Sequence, residues 1–113
     1  MKVNSEREAQ EIMEAITAIG FHYGFESQSL QCIEEMAELT QAISKLRRSR
    51  GIGQKTEKSE RECRDNVIEE LADVYIMLVQ MIWLVDGQEE CWKKFKEKTW
   101  RQLERIAEEK GWR

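Results

Sequence analysis

The chain has 113 residues, of which 41% are hydrophobic and 35% are charged, and this balance is that of a folded protein with one domain, 1–113. Its net charge of −4 is unlike that of a typical nucleic-acid-binding domain, so no nucleic-acid polymer is expected as a partner. The three cysteines lack CxxC spacing and the N-terminus lacks an apolar signal core, so we expect reduced thiols and a cytoplasmic protein.

A first helix is predicted from a capping box, Ser5 and Glu8, along an apolar stripe that ends near Gly20. Gly20 and Gly24 then interrupt the helical pattern around a group of aromatic side chains. Two interpretations of this group stay open, a hydrophobic connection between helices and the lining of a pocket. The candidate pocket residues are His22, Tyr23 and Phe25.

A second helix is predicted from Ser27 to about Arg50, and its basic end, KLRRSR, complements the negative end of the helix dipole. The polar segment Gly51–Ser59 that follows is the best candidate for a mobile flap. A further capping box, Ser59 and Glu62, predicts that a third helix begins directly after this segment.

The third helix is predicted to run from Glu60 to Val85, and from Val74 onward it is apolar apart from Gln80. A helix that is hydrophobic on every side is normally buried on every side. The apolar run is shorter than the roughly 20 residues that a bilayer requires, so no membrane location is expected. Acidic residues occupy the first half of the helix, where a carboxylate at the edge of a core is costly unless something pairs with it.

A fourth helix is predicted from Gln88 to Lys110, between the turn Asp86–Gly87 and the C-terminal stop Gly111. Four helices with short connections predict an all-α fold with a four-helix bundle-type subunit. The third helix is too apolar to be covered by three small amphipathic neighbours. We therefore expect a homo-oligomer, a homodimer or homotetramer, most simply a symmetric dimer.

The strongest functional clue is an acidic motif that occurs twice, as IEEMAEL at Ile33–Leu39 and as IEELADV at Ile68–Val74. Each copy places acids on neighbouring turns of one helix face. Consecutive helices joined by a short linker normally pack antiparallel, so the two acidic faces are expected to meet. The six acids are Glu34, Glu35, Glu38, Glu69, Glu70 and Asp73.

Carboxylates placed this close repel one another and raise each other's pKa values, unless a cation neutralises them. Hard divalent cations prefer oxygen ligands, and Mg²⁺ combines carboxylates with water and substrate phosphates. Neither motif contains a histidine, which disfavours zinc and a di-iron site. One EExxE in so charged a chain is usually a solvated helix face, but two matching copies predict a Mg²⁺ site, with Mn²⁺ as a possible substitute.

The order EExxE, EExxD and then the basic sequence KFKEKTWRQLERI resembles the MazG-like all-α nucleoside triphosphate pyrophosphohydrolases over most of the chain. The resemblance implies that Glu34 and Glu69 orient waters or metal ligands, and that Glu34 or Glu35 is the general base. It also implies four metal ligands. These are Glu35, Glu38, Glu70 and Asp73.

The resemblance further implies that phosphates are held by a lysine and an arginine one turn apart on the helix after the second motif. Lys94 and Lys98 occupy comparable places. Arg101 is a further candidate, because lysine at position 98 lacks the bidentate geometry of arginine. The base of the nucleotide would then lie against His22, Tyr23 or Phe25.

The reaction implied is Mg²⁺-dependent hydrolysis of a (deoxy)nucleoside triphosphate to the monophosphate and pyrophosphate, as nucleotide-pool house-cleaning. Within the same superfamily, dimeric dUTPase and phosphoribosyl-ATP pyrophosphatase carry similar motifs and are alternatives. A different alternative is a non-catalytic helical dimerisation or regulatory module, whose acids would be salt-bridged to lysine and arginine residues.

Overall fold

The chain is all-helical in the computed structural model, which describes residues 2–111 and the side chains of residues 5–111. The helices are α1, Lys2–Ser49; α2, Glu60–Leu84; and α3, Gln88–Lys110. No strand occurs within residues 2–111, so the predicted all-α class is confirmed. In the same part of the chain, no helix combines the length and apolarity needed to span a membrane.

Helix α1 joins the two helices that were predicted on either side of Gly24. At Gly24 the backbone has φ 85° and ψ 171°, which is not helical. A straight helix of 48 residues would be about 72 Å long, whereas the longest dimension of the molecule is 44 Å. Therefore α1 bends at Gly24 into two arms, 2–23 and 25–49. The predicted start at Ser5 is wrong, because α1 begins at Lys2.

Local interactions define the ends of the segment between α1 and α2. After α1, Gly51 has φ 81° and Ile52 N–H donates to the Arg47 carbonyl at 2.9 Å, which closes the helix end. Before α2, the Ser59 hydroxyl accepts from the Glu62 N–H at 3.1 Å, and the Glu62 carboxylate accepts from the Ser59 N–H at 3.4 Å. The predicted capping box at Ser59 is therefore confirmed.

Helices α1 and α2 pack against each other and enclose the small core of the chain. Between residues 5 and 111, most of the buried hydrophobic side chains on α1 and α2 are small or flexible, as with Cys32, Ala42, Cys63 and Met77, and two are β-branched, Ile16 and Val74. All three cysteines are free, as expected. Because the core holds so few side chains, most of the apolar surface of the chain lies elsewhere.

Helix α3 stands apart from the α1–α2 pair. It approaches α2 over only a short stretch, and within residues 2–111 the backbones of α1 and α3 do not come near each other. The expected four-helix bundle is thus not closed within one chain. Large hydrophobic side chains remain exposed on all three helices, among them Leu71, Tyr75, Phe95, Trp100 and Leu103.

The dimensions of the molecule agree with this open arrangement. Its radius of gyration is 18.0 Å, whereas a compact domain of this length has about 13 Å. Its accessible surface is 9430 Å², whereas a compact monomer of 13.4 kDa exposes about 6,500 Å². The chain therefore exposes roughly 2,900 Å² more than a self-contained monomer of its mass.

Candidate metal centre

The two acidic motifs meet across the α1–α2 interface. Glu35 and Glu38 lie one turn apart on α1, and Glu70 faces them from α2. Each offers one carboxylate oxygen, and these three oxygens all lie within 4.8 Å of one another. We call Glu35, Glu38 and Glu70 the acidic cluster.

The acidic cluster is half-buried and only partly satisfied by hydrogen bonds. Glu35 and Glu70 are half-buried, whereas Glu38 is exposed. The Oε2 atoms of Glu35 and Glu70 are both buried and have no hydrogen-bond partner. The other oxygen of Glu35 accepts from Gln31 Nε2 at 2.7 Å. Buried polar atoms without a partner are rare in native proteins and call for an explanation, such as an ion that binds there.

The electrostatics of Glu70 reflect this crowding. Desolvation raises the pKa of the Glu70 carboxyl above its ordinary value, and the neighbouring charges of Glu38, Asp73 and Glu35 raise it further, as does a hydrogen bond with Glu38. In residues 5–111, none of the ion pairs between side chains involves the acidic cluster. The negative charge is therefore not neutralised by lysine or arginine within the described chain.

Of the four predicted ligands, three converge and the fourth lies beside them. Asp73 is half-buried, one turn after Glu70 on α2, and its charge acts on the Glu70 carboxyl. It lies outside the group whose oxygens are within 4.8 Å of one another. The predicted catalytic acids Glu34 and Glu69 are exposed at the positions directly before Glu35 and Glu70. Their assignment stays a prediction.

The predicted phosphate-binding residues lie on a different part of the molecule. Lys94, Lys98 and Arg101 are exposed on α3, which does not approach α1 within residues 2–111. On the helical wheel all three lie opposite the apolar stripe that contains Trp92 and Leu103. The stripe is thus free to pack against protein while the cations remain open to solvent or substrate.

The candidate base-pocket residues lie at the bend of α1. His22, Tyr23 and Phe25 are exposed, and the His22 and Tyr23 rings contact each other edge to face with their centroids 4.8 Å apart. Phe25 precedes Glu35 by ten residues, which corresponds to about 15 Å of helix. The structure does not bring these three side chains into contact with the acidic cluster.

Sequence reasoning missed two supporting side chains. Gln31 precedes Glu35 by one turn and donates to it, a relation that the i, i+4 spacing could have indicated. Gln80, the one polar residue of Val74–Val85, forms a buried hydrogen bond with Gln28 at 2.8 Å. Its isolation within an apolar run was the available signal, because a buried amide needs a partner.

The residues of the acidic cluster fit a hard divalent cation. All the ligand atoms are carboxylate oxygens, Glu35 and Glu70 each have one oxygen that is buried without a partner, and the exposed Glu38 leaves one side open. The only histidine of the chain, His22, lies at the bend of α1 rather than in the cluster, so the donor set is not that of a typical zinc site. Comparisons with known proteins return no match: no protein-family model, no curated protein and no solved structure is significantly similar to this chain.

Proposed function

We propose that this protein is a Mg²⁺-dependent nucleoside triphosphate pyrophosphohydrolase that works as a homo-oligomer. The observation that carries the proposal is the convergence of carboxylate oxygens of Glu35, Glu38 and Glu70 within 4.8 Å, without an ion pair to any lysine or arginine of residues 5–111. A non-catalytic module with salt-bridged acids would show lysine or arginine at this place. The resemblance of the two motifs to MazG-like enzymes supplies the reaction class.

In this proposal each group has a role that follows from its exposure. Glu35 and Glu70, which are half-buried, hold the cation from opposite helices, and Gln31 orients Glu35 through its hydrogen bond. Glu38 completes the set from the solvent side. When bound, Mg²⁺ supplies positive charge for the phosphate oxygens of the substrate.

Glu34 and Glu69 are exposed to solvent at the positions directly before Glu35 and Glu70. They are the proposed groups that orient the attacking water and accept its proton, with Glu35 as a further candidate for the base. Attack at the α-phosphate releases pyrophosphate and leaves the monophosphate. Such a displacement requires positioning and charge neutralisation more than covalent catalysis.

The cations on α3 join the site only if α3 packs beside an acidic cluster. Within residues 2–111 the chain's own α3 does not do so. In the proposed homo-oligomer, the apolar stripe of α3 packs against protein, and the opposite face, with Lys94, Lys98 and Arg101, is available to the phosphates. The excess surface of roughly 2,900 Å² per chain is enough for an obligate interface, which buries about 2,000–5,000 Å² in total.

The test is incubation of the purified protein with Mg²⁺ and a panel of nucleoside triphosphates that includes dUTP and phosphoribosyl-ATP. We expect pyrophosphate as the product, detected as phosphate only after inorganic pyrophosphatase is added. Direct release of single phosphate would refute cleavage between the α- and β-phosphates. A preference for dUTP or phosphoribosyl-ATP would identify the corresponding related activity.

A variant pair tests the acidic cluster in the same assay. Glu38→Gln should lower turnover by at least about 100-fold, since even residues that only orient metal ligands contribute about 10- to 100-fold. The fold should be spared, because the substitution removes one of the charges that crowd Glu70. Glu8→Gln, an exposed acid on the N-terminal arm of α1, is the matched control and should keep wild-type turnover. Wild-type turnover in Glu38→Gln would remove Glu38 from the site.

A further inference from the structure

One polar pair lies inside the α1–α2 interface and has no part in the proposed chemistry. Gln28 Nε2 donates to Gln80 Oε1 at 2.8 Å, and the two residues are only 8% and 2% exposed. The side-chain amide oxygen of Gln28, Oε1, in turn accepts from the Ser27 hydroxyl at 3.0 Å. A buried amide pair in so small a core needs a reason, because two apolar side chains of the same shape would pack there without any hydrogen-bond requirement.

The pair and the acidic cluster belong to the same helix register. Gln28 precedes Glu38 by ten residues on α1, and Gln80 follows Glu70 by ten residues on α2. On antiparallel helices equal offsets bring both pairs face to face, about 15 Å apart along the interface. Whatever aligns Gln28 with Gln80 therefore also aligns Glu38 with Glu70.

The apolar residues of this interface define its register only weakly. Cys32 and Cys63 are small, Ala42 is smaller, and Met77 is flexible, so Val74 on α2 and Ile16 on the N-terminal arm of α1 are the only β-branched side chains among the buried ones of residues 5–111 that resist a shift by one helical turn. Such a shift displaces one helix by about 5.4 Å, which is more than the 4.8 Å within which the three carboxylate oxygens converge. A slip of one turn would therefore disperse the acidic cluster.

The amide pair opposes such a slip. A shift by one turn would break the bond between Gln28 Nε2 and Gln80 Oε1 and leave these two atoms in the interface without each other as partners, which is unfavourable. Single buried polar residues fix helix register in coiled coils for the same reason. Gly20, on the N-terminal arm of α1, packs against Gln80: a Cβ atom at this position would lie 2.9 Å from Gln80 Cγ, so only glycine fits without a shift.

We propose that Gln28 and Gln80 are positioning residues that hold α1 and α2 in the register in which the acidic cluster forms. Insofar as the acidic cluster binds a metal ion, this inference rests on the proposed function. The register itself does not depend on the metal, so the two are tested by separate readouts.

The first readout compares stability with metal affinity. Gln28→Met and Gln80→Met each remove one partner of the buried hydrogen bond and should lower the melting temperature of the metal-free protein. The double variant Gln28→Met/Gln80→Met should recover the wild-type melting temperature, because methionine matches glutamine in shape. Its Mn²⁺ affinity, measured by calorimetry, should nevertheless stay at least about tenfold below wild type, as for the loss of other supporting residues. If the double variant recovered both the wild-type melting temperature and the wild-type Mn²⁺ affinity, the pair would have a merely structural role and the proposal would be overturned.

The second readout measures the register directly. Spin labels at the exposed positions Gln41 and Ala72, in a Cys91→Ser background, report the distance between α1 and α2. Labelled protein is diluted with unlabelled protein so that only distances within one chain contribute. Wild type should give one distance, and the double methionine variant should add a second, because a slip of one turn moves one label about 5.4 Å along the helix axis relative to the other. A single unchanged distance in the double variant would overturn the proposal.

Met77→Leu is the matched control, since Met77 is buried in the same interface between the amide pair and the cluster. It should lower the melting temperature without changing the Mn²⁺ affinity or the distance. If the double variant does not fold, both readouts are taken on Gln28→Met, where wild-type affinity and a single distance would overturn the proposal. If wild type itself binds no Mn²⁺, the proposed function fails, while the distances still decide the register.

Discussion

Glu70 shows how one carboxyl group reports on the acidic cluster. Its pKa is raised by desolvation first and then by the charges of Glu38, Asp73 and Glu35, and no nearby cation is among the groups that act on it. An acid whose pKa is higher in the folded than in the unfolded state stabilises the folded protein at low pH, where the acid is protonated. That contribution is lost as the pH rises through the folded-state pKa. Ionised Glu70 therefore destabilises the metal-free protein, and a bound cation would reverse this effect.

The prediction is a pH dependence that differs between wild type and Glu70→Gln. Between about pH 4 and pH 8, the free energy of unfolding of metal-free wild type should fall relative to that of Glu70→Gln, because only wild type must ionise the crowded carboxyl. Saturating Mg²⁺ should remove the loss in wild type and leave Glu70→Gln nearly unchanged. Urea titrations at a series of pH values, with and without Mg²⁺, measure the free energy of unfolding of both proteins. Parallel pH profiles in the absence of metal would contradict the prediction.

At the scale of single residues, the sequence predicted much of the candidate site. In each adjacent pair of glutamates one side chain must point inward and the other outward, since neighbours on a helix lie about 100° apart. The second member of each pair, Glu35 and Glu70, is the half-buried one. Helical periodicity could not indicate that Asp73 stands beside the cluster, because its distance to Glu35 and Glu38 depends on how α1 and α2 approach each other.

At the scale of elements, the bend at Gly24 determines the course of α1. The helical patterns on both sides were predicted, whereas their continuity was not, since a glycine ends a helix or bends it depending on the contacts of the flanking arms. Those contacts lie on α2: Gly20 before the bend and Gln28 after it both meet Gln80. One polar side chain of α2 thus touches both arms of α1.

Replacement of Gly24 by alanine tests the bend. At φ 85° an L-residue is strained, and no atom lies within 4 Å of the added Cβ, so the effect comes from the backbone alone. We expect a loss of about 1–3 kcal/mol in the free energy of unfolding, the usual range for such strain. Gly53→Ala is the matched control, with φ 83° and equally open surroundings in the polar linker. The linker can relax, so Gly53→Ala should lower the free energy of unfolding by less than Gly24→Ala. Equal losses in the two variants would argue against a bend held by tertiary contacts.

At the scale of the whole molecule, the apolar surface is divided between two opposite faces of α2. One face packs on α1 and includes Met77 and Gln80, whereas the other, with Leu71, Tyr75 and Leu78, is exposed. This division explains why the sequence indicated an assembly but not its geometry. The all-round apolar pattern favours a helix that is covered on every side, whereas within residues 5–111 only the face of α2 that packs on α1 is covered.

Tyr75 is the position from which to test the proposed assembly, because it is 59% exposed near the middle of this second face. Tyr75→Glu places a charge in the proposed interface, and the dissociation constant should rise by at least about 100-fold, equivalent to about 2.8 kcal/mol. Ile52→Glu introduces the same charge at an exposed apolar residue of the linker and should leave the assembly intact. Sedimentation velocity over a range of concentrations measures both variants. A wild-type protein that sediments as a monomer at every concentration would contradict the homo-oligomer, and the exposed face of α2 would then need a different partner.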